Sequence, residues 1–209
     1  MNKETDEVVI IGAGGHAKVV ISTLIESGLK VFGLLDDDKN KWGSKVLDIP
    51  IIGPLELVKT NNFKKAVIGI GDNFLRKKLV ECFKNDCEWI TVIHPHSYVH
   101  PSVKIGEGTV IFAGTIIQPD AEIGKHVIIN TGATVDHDCK IGDYVHLAPG
   151  VHLAGNITID EGTFIGIGSS VIPGRSIGKW SVVGAGGVVI NDIPPSSKVA
   201  GVPVRPLNN

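Results

Sequence analysis

A chain of 209 residues with 20 basic and 22 acidic side chains, net −2, offers no basic field for nucleic acid and no polybasic patch for an anionic bilayer. Glycine is abundant at 26 residues and aromatics are scarce at 5%, which argues for many tight turns and against a helical bundle. Three cysteines (Cys82, Cys87, Cys139) make an odd set without CxxC spacing, and the sequence shows neither a signal peptide nor an 18-residue apolar run, so a reduced, cytoplasmic protein is expected.

Residues 1–95 read as alternating strands and helices. VVIIG (8–12) is a buried strand, followed by a glycine turn and a helix to about Ser27; VFGLLDDD (31–38) is a second strand ending in acid. Leu55–Thr60 is a short helix, AVIGIG (66–71) a third strand, Asn73–Lys84 a helix charged on one face, and Glu88–Ile93 completes the pattern. This βαβαβ order predicts a small parallel sheet with helices on its faces. In VVIIGAGGHAKVV, Gly12, Gly14 and Ala17 fit G-x-G-x-x-G/A, and Asp36–Asp38 follow at the right distance. The domain is too short for two mononucleotide halves, so a dinucleotide cofactor is not expected. What the motif offers physically is a glycine turn and a helix N-terminus, whose N–H groups bind phosphate or diphosphate, with Lys18 as an added charge. GIGDNFLR (69–76) repeats the strand–glycine–helix form and is read as another wall of the same crevice.

From Val99 the period becomes six. Sixteen aliphatic anchors fall on every sixth residue from Val99 to Val189 without a gap. Two residues before an anchor the side chain is usually small, as at Thr109, Ala121, Cys139 and Ser169; three residues after it, twelve of the sixteen positions are Gly, Asp or Asn, which tolerate a turn with φ > 0. Three short strands per 18 residues then close a triangular coil, and coils stack as parallel strands at roughly 4.8 Å. Arg175 departs from the small-residue rule and suggests a loosened late coil.

Stacking residue n on n + 18 gives three outward columns. Lys104, Glu122, Lys140, Thr158 and Ser176 form an ordinary solvated face, while Ile116, Thr134, His152, Ser170 and Val188 form a mixed one. Val110, Ile128, His146, Phe164 and Val182 make an apolar ladder, expected to be buried against other copies in three-fold packing, with His146 retained there for a polar task. His94, His96 and His100 read as linker or capping residues, and His126 and His152 as surface positions. A zinc site needs three converging imidazoles, and His137, His146 and His152 do not share a column. Asp138 sits at a turn position. His137 before it occupies a column of Pro101, Pro119, Gly155 and Pro173, where turn geometry asks for no imidazole. A histidine there is a candidate general base, and Asp138 is either its partner or simply a turn residue.

The repeats, with the closing VAGVPVRP (199–206), resemble the hexapeptide-repeat acyltransferases, which implies a left-handed parallel β-helix assembled as a trimer. IGAGGHAKVV, LLDDD, IGIGDNFLRKK, INTGATVDHDCKIGDYVHLAPGVHLAGN and AGVPVRP together resemble a narrower family, the nucleotide-aminosugar N-acetyltransferases of bacterial glycan synthesis, close to the sialic acid O-acetyltransferases. The resemblance implies a Rossmann-like α/β domain over 1–95 that binds a nucleotide sugar and a β-helix acetyltransferase domain over 96–209. It also implies acetyl-CoA as co-substrate, a 4-amino-4,6-dideoxy sugar as acceptor, no metal, and a homotrimer with active sites between subunits. By the same resemblance His137 is the general base and Asp138 its partner. Gly14, His16, Asp36, Asp37, Gly71, Asn73 and Asn130 would hold the sugar nucleotide, and His146, Gly155, Ala185 and Gly186 would line acetyl-CoA. The alternatives are O-acetylation of a sialic acid or related sugar, a non-catalytic nucleotide-sugar binder, and a zinc enzyme of the γ-carbonic-anhydrase type.

Overall fold

The computed structural model describes residues 7–61 and 63–207, which divide into two compact units with the boundary between His94 and Pro95. The first contains β1 (Val8–Ile11), α1 (Gly15–Glu26), β2 (Val31–Leu35), β3 (Lys45–Val46), β4 (Ile49–Gly53), α2 (Leu57–Thr60), β5 (Lys65–Ile68), α3 (Asn73–Phe83) and β6 (Glu88–Trp89). The sheet order is β3-β4-β2-β1-β5-β6, parallel except for the β3–β4 hairpin at the edge. β1 is four β-branched residues, all fully buried, as a central strand covered on both faces requires. α1 turns Ala17, Val20, Ile21 and Leu24 toward the sheet at helical spacing. The chain leaves β1 to one side for β2 and to the other for β5. The carboxyl end of β1 is therefore a switch point, where open α/β sheets leave a crevice.

Two glycines shape that switch point. Gly12 has φ +97°, and a Cβ there would fall 2.5 Å from Cγ1 of Ile70; at Gly69 a Cβ would meet Ile10 at 2.9 Å and Ala17 at 3.0 Å. The turn after β1 and the turn after β5 thus interlock, with the Ile70 side chain filling the room that Gly12 leaves. The β3–β4 hairpin was not expected. Its two turn residues, Leu47 and Asp48, are both left-handed (φ 47° and 65°), and a leucine in that conformation gives no sequence signal.

The second unit is a left-handed parallel β-helix of two-residue strands. Its ladders pair residues 18 apart: Val110–Ile128–His146–Phe164–Val182 on one face, Ile116–Thr134–His152–Ser170–Val188 on the second, Lys104–Glu122–Lys140–Thr158–Ser176 on the third. The columns read from the sequence are the ladders of the structure. The anchors from Ile111 to Val189 are buried, each contributing on the order of 1.5–3 kcal/mol relative to exposure. The small residues before them serve the coil above. Thr109, Thr163 and Ser169 are fully buried and donate their hydroxyls to the carbonyls of Gly124, Gly178 and Gly184 at 2.8–3.0 Å, and Cys139 uses its thiol likewise on Ala154 at 3.1 Å.

Every corner residue from Gly108 to Gly186 at six-residue spacing has positive φ. The three corners differ in chemistry. One is all glycine (Gly114, Gly132, Gly150, Gly168, Gly186); a second runs Asp120, Asp138, Asn156, Gly174; the third runs Gly108, His126, Tyr144, Gly162, Trp180. In the third, the His126 and Tyr144 rings stack at 5.5 Å and 7°, and the Trp180 ring fills the room that Gly162 leaves empty.

Three expectations change. His126 is not a surface residue: its ring is folded into the aromatic corner at 2% exposure. The apolar ladder is not left open along its length, since Val110 and Ile128 are 2% and 1% exposed within the single chain, leaving Phe164 and Val182 as its accessible end. Arg175 does not loosen its coil. Its guanidinium reaches Asp192 at 3.8 Å, its carbonyl accepts from Thr158 at 3.0 Å, and Ile177 beside it stays fully buried.

Candidate active site

His137 and Asp138 lie on the Asp-rich corner of the β-helix. Asp138 takes the left-handed turn conformation (φ 59°), which directs its carboxylate back to its neighbour, and Oδ2 lies 2.7 Å from Nδ1 of His137. The residue therefore makes the turn and pairs with the imidazole, because the first places it for the second. The backbone N–H of His137 donates to Asp136 Oδ1 at 2.8 Å, and its carbonyl accepts from Asn156 at 2.9 Å, so the residue is held from both sides. Gly155, one coil above, lets the ring lie flat: a Cβ there would fall 2.5 Å from both Cε1 and Nε2. With Nδ1 committed to Asp138, Nε2 is the nitrogen that faces outward as a proton acceptor. The hydrogen bond to Asp138 raises the basicity of the imidazole above its ordinary value against a small desolvation, and the charge of Asp136 adds to it. The ring itself is open to solvent.

Asn130 and His146 form a second pair, brought together by adjacent rungs of the first face. Asn130 Nδ2 lies 3.2 Å from His146 Nε2, while its Oδ1 accepts from the N–H of Thr131 at 2.8 Å. His146 is 7% exposed and meets the Phe164 ring edge-on at 5.1 Å. Ala185 and Gly186 lie at an exposed corner two coils above this pair. His152 is exposed and joined to Thr134 at 3.0 Å. Cys139 points inward, and burial pushes its thiol up, so it is a core residue. Among the described residues no three His, Cys, Asp or Glu side chains converge as metal ligands would.

In the first unit a cleft of about 480 Å³ opens where β1, β2 and β5 end, with Gly12, Asp36, Asp37, Leu55, Ile70 and Leu79 among its walls. Asp36 is a fastener of this region. Its Oδ2 accepts from Ala13 N at 2.9 Å and from Lys41 Nζ at 3.0 Å, and its Oδ1 accepts from Asp38 N at 3.0 Å. Burial works to raise its carboxyl, but the Asp38 N–H, the Lys41 ammonium and the Ala13 N–H outweigh this and hold it below the ordinary value. Asp37 takes the Leu55 N–H at 3.0 Å on Oδ1 alone. Gly14 caps α1, and a Cβ at Gly14 or Gly15 would meet nothing within 4 Å, so the helix start is bare backbone. His16 in the first turn is half-buried, and desolvation followed by the nearby Arg76 guanidinium lowers its pKa to about 4.

Gly71 and Asn73 have a use the sequence did not indicate. Both hold Arg76, whose guanidinium is 2% exposed and donates to the carbonyl of Gly71 at 3.2 Å and to Asn73 Oδ1 at 2.9 Å. Arg76 was missed because an arginine on a charged helix reads as a solvated one. Lys41 and Trp42, which bind Asp36 through Nζ and Nε1 respectively, were missed as ordinary loop residues. No helix among the described residues is long and apolar enough to cross a membrane.

Residues 7–83 match the PglD N-terminal domain, and 102–137 and 120–155 match the bacterial transferase hexapeptide (six repeats). Over 112 residues the chain is 43% identical to UDP-N-acetylbacillosamine N-acetyltransferase of Bacillus subtilis, covering 51% of each protein. The chain spans between about a fifth and about half the length of the curated relatives it matches first. Solved structures are alike over almost the whole chain. PerB from Caulobacter crescentus in complex with CoA and GDP-perosamine superposes with a TM-score of 0.92 at 42% identity, covering 97% of both chains. The acetyltransferase domain of PglB from Neisseria gonorrhoeae, in complex with acetyl coenzyme A, gives 0.90 at 35% identity, over 97% of this chain and 100% of that one. With its two matched domains in the same order and this likeness from end to end, the chain belongs to the nucleotide-aminosugar N-acetyltransferases of the hexapeptide-repeat superfamily.

Proposed function

We propose that the protein transfers the acetyl group of acetyl-CoA to the amine of a nucleotide-linked 4-amino-4,6-dideoxy sugar, directly and without a covalent enzyme intermediate. The observation that carries this reading is the His137–Asp138 pair at 2.7 Å with Nε2 left available beside Gly155. The neutral amine attacks the thioester carbonyl and a C–N bond forms. Nε2 of His137 takes the proton that the nitrogen sheds, Asp138 stabilises the resulting imidazolium, and the C–S bond breaks to release CoA thiolate, which is then protonated. The N–H of Gly155 is the candidate donor to the developing oxyanion. Asn130 and His146 orient the acceptor and the thioester, and Ala185 and Gly186 offer backbone to the CoA arm.

In the first unit, the bare start of α1 with His16 receives the diphosphate, and the Asp36–Asp37 cleft receives the nucleoside. Residues 1–95 then serve as the nucleotide-sugar domain and 96–209 as the transferase domain, with a homotrimer placing active sites between subunits. PerB and the PglB domain, solved with CoA and GDP-perosamine and with acetyl coenzyme A, support the choice of substrates.

The test is thiol release from acetyl-CoA against a panel of GDP-, UDP- and dTDP-linked 4-amino sugars, with free sialic acid as a hydroxyl acceptor and mass spectrometry of the product. Acetylation of an amino sugar at the nitrogen is the expected result. Turnover with the hydroxyl acceptor alone, or with none, removes the reading.

A further inference from the structure

The first unit contains a buried charge that the proposed chemistry does not use. Arg76 is 2% exposed and among the largest fully buried side chains of the described chain. Burying a guanidinium costs several kcal/mol unless its donors are satisfied, so its surroundings show what it is there for. The guanidinium sits under the turn between β5 and α3. It donates to the carbonyls of Ile70 (3.4 Å) and Gly71 (3.2 Å) and to the side chain of Asn73 (2.9 Å). Three residues of one turn are thereby gathered by a single planar fork, a geometry that a lysine ammonium does not reproduce.

The clamped turn bears directly on the glycine loop. Ile70 occupies the space where Gly12 would carry a Cβ, 2.5 Å from its Cγ1, and Gly69 packs against Ala17 in the first turn of α1. A shift of Ile70 therefore displaces Gly12, and with it the start of the helix that carries Gly14 and His16. Ile70 also forms part of the cleft wall. Arg76 connects both sides of the crevice without lining it.

We propose that Arg76 is the positioning residue of the nucleotide-diphosphate subsite: its buried fork fixes the β5–α3 turn, which fixes Gly12 and presents the α1 N-terminus and His16 to the ligand. The inference rests on the nucleotide-sugar reading above only for the identity of the ligand. Burial first, and the guanidinium beside it second, disfavour a positive charge on His16, so the permanent positive charge of this region is that of Arg76. The other charged groups of the region are engaged elsewhere or exposed: Asp36 with Ala13 and Lys41, Asp72 with the Leu75 N–H at 2.7 Å, and Lys18 on the open side of α1.

The test compares Arg76→Lys, which keeps the charge and loses the fork, with Arg76→Met, which loses both. Calorimetric titration of the folded, full-length variants with GDP, UDP and dTDP is expected to show at least a tenfold rise in Kd for the diphosphate that the native protein binds best. Under turnover, KM for the sugar nucleotide rises similarly, while kcat at saturation stays within about twofold. NMR titration of the His16 ring, assigned through His16→Asn, separates positioning from mere loss of stability. The midpoint lies well below 6 in the native protein and Arg76→Lys, and rises in Arg76→Met by only part of the shift, because burial still disfavours the charged ring. Should Arg76→Met fail to fold, the Kd of Arg76→Lys decides. Unchanged diphosphate affinity in the folded variants overturns the proposal, as does a native protein that binds none of the three diphosphates. A native protein that binds diphosphate but acetylates no amino sugar defeats the functional reading and leaves the Arg76 proposal standing on its own titrations.

Discussion

The first turn of α1 and the Asp138 corner of the β-helix each present a histidine at a glycine-lined backbone, and the two are treated in opposite ways. His137 is open to solvent and tied to a carboxylate, which raises its proton affinity. His16 is folded inward beside a guanidinium, and desolvation and that charge bring it down to about 4. Near neutral pH, one ring changes charge readily and the other hardly at all. A fold that needs a proton acceptor in one place and a fixed hydrogen-bonding group in another thus obtains both from one residue type, through burial first and the neighbouring guanidinium second at His16, and through an exposed carboxylate partner at His137.

The comparison breaks most visibly at His137. His137→Ala is expected to lower kcat/KM at least about 10²-fold with the β-helix intact, as steady-state kinetics and circular dichroism would show; a rate within a few fold of native removes the base. At His16 the strongest effect is on stability. The folded state resists protonation down to about pH 4, whereas the unfolded chain protonates near 6.5, so stability is lost as pH falls through that window, by up to about 3 kcal/mol from this group. Denaturant unfolding at pH 7 and pH 4.5 measures the loss, and His16→Asn should remove much of it.

Asp138→Asn tests the other neighbour. Asparagine keeps the left-handed turn but removes the charge, so kcat is expected to fall about tenfold. The acid limb of the kcat/KM profile, above 6.5 in the native protein, should move to lower pH. An unmoved limb would mean that the 2.7 Å contact does not tune the base. The smallest effect belongs to the solvated face: Glu122→Gln breaks the exposed pair with Lys104 at 2.9 Å and is expected to leave Tm unmoved within error.

The β-helix was almost wholly legible because its period is enforced by packing. An aliphatic anchor every sixth residue, a small residue before it and a left-handed residue after it are separate physical demands that repeat in phase, and the ladders follow by counting. Legibility failed where one demand had two solutions. Turn positions accept His126, Tyr144 and Trp180 when neighbouring glycines make room for their rings, so a histidine that counts as outward is in fact buried. In the first unit the strands and the glycine turn were readable from their own residues. Arg76, Lys41 and Trp42 were not, because their roles depend on partners contributed by other loops. The His137 site lay between these cases: periodicity isolated the histidine, and only the three-dimensional turn showed that Asp138 both bends the chain and holds the ring.

The three unlike corners also set rules for how such a chain can change length. Adding or deleting 18 residues inserts or removes one whole storey and returns every later residue to its own edge. A change of six keeps the core filled, since anchors are interchangeable, but rotates the upper storeys by one face relative to the lower. The bare glycine edge would then continue onto the edge that carries Asp138, or onto the aromatic one, and Gly155 would no longer stand over His137. Length variation in this unit is therefore quantised twice, in sixes for folding and in eighteens for keeping the chemistry aligned. Natural or engineered variants that respect only the first are expected to fold and to have lost the acid–imidazole site.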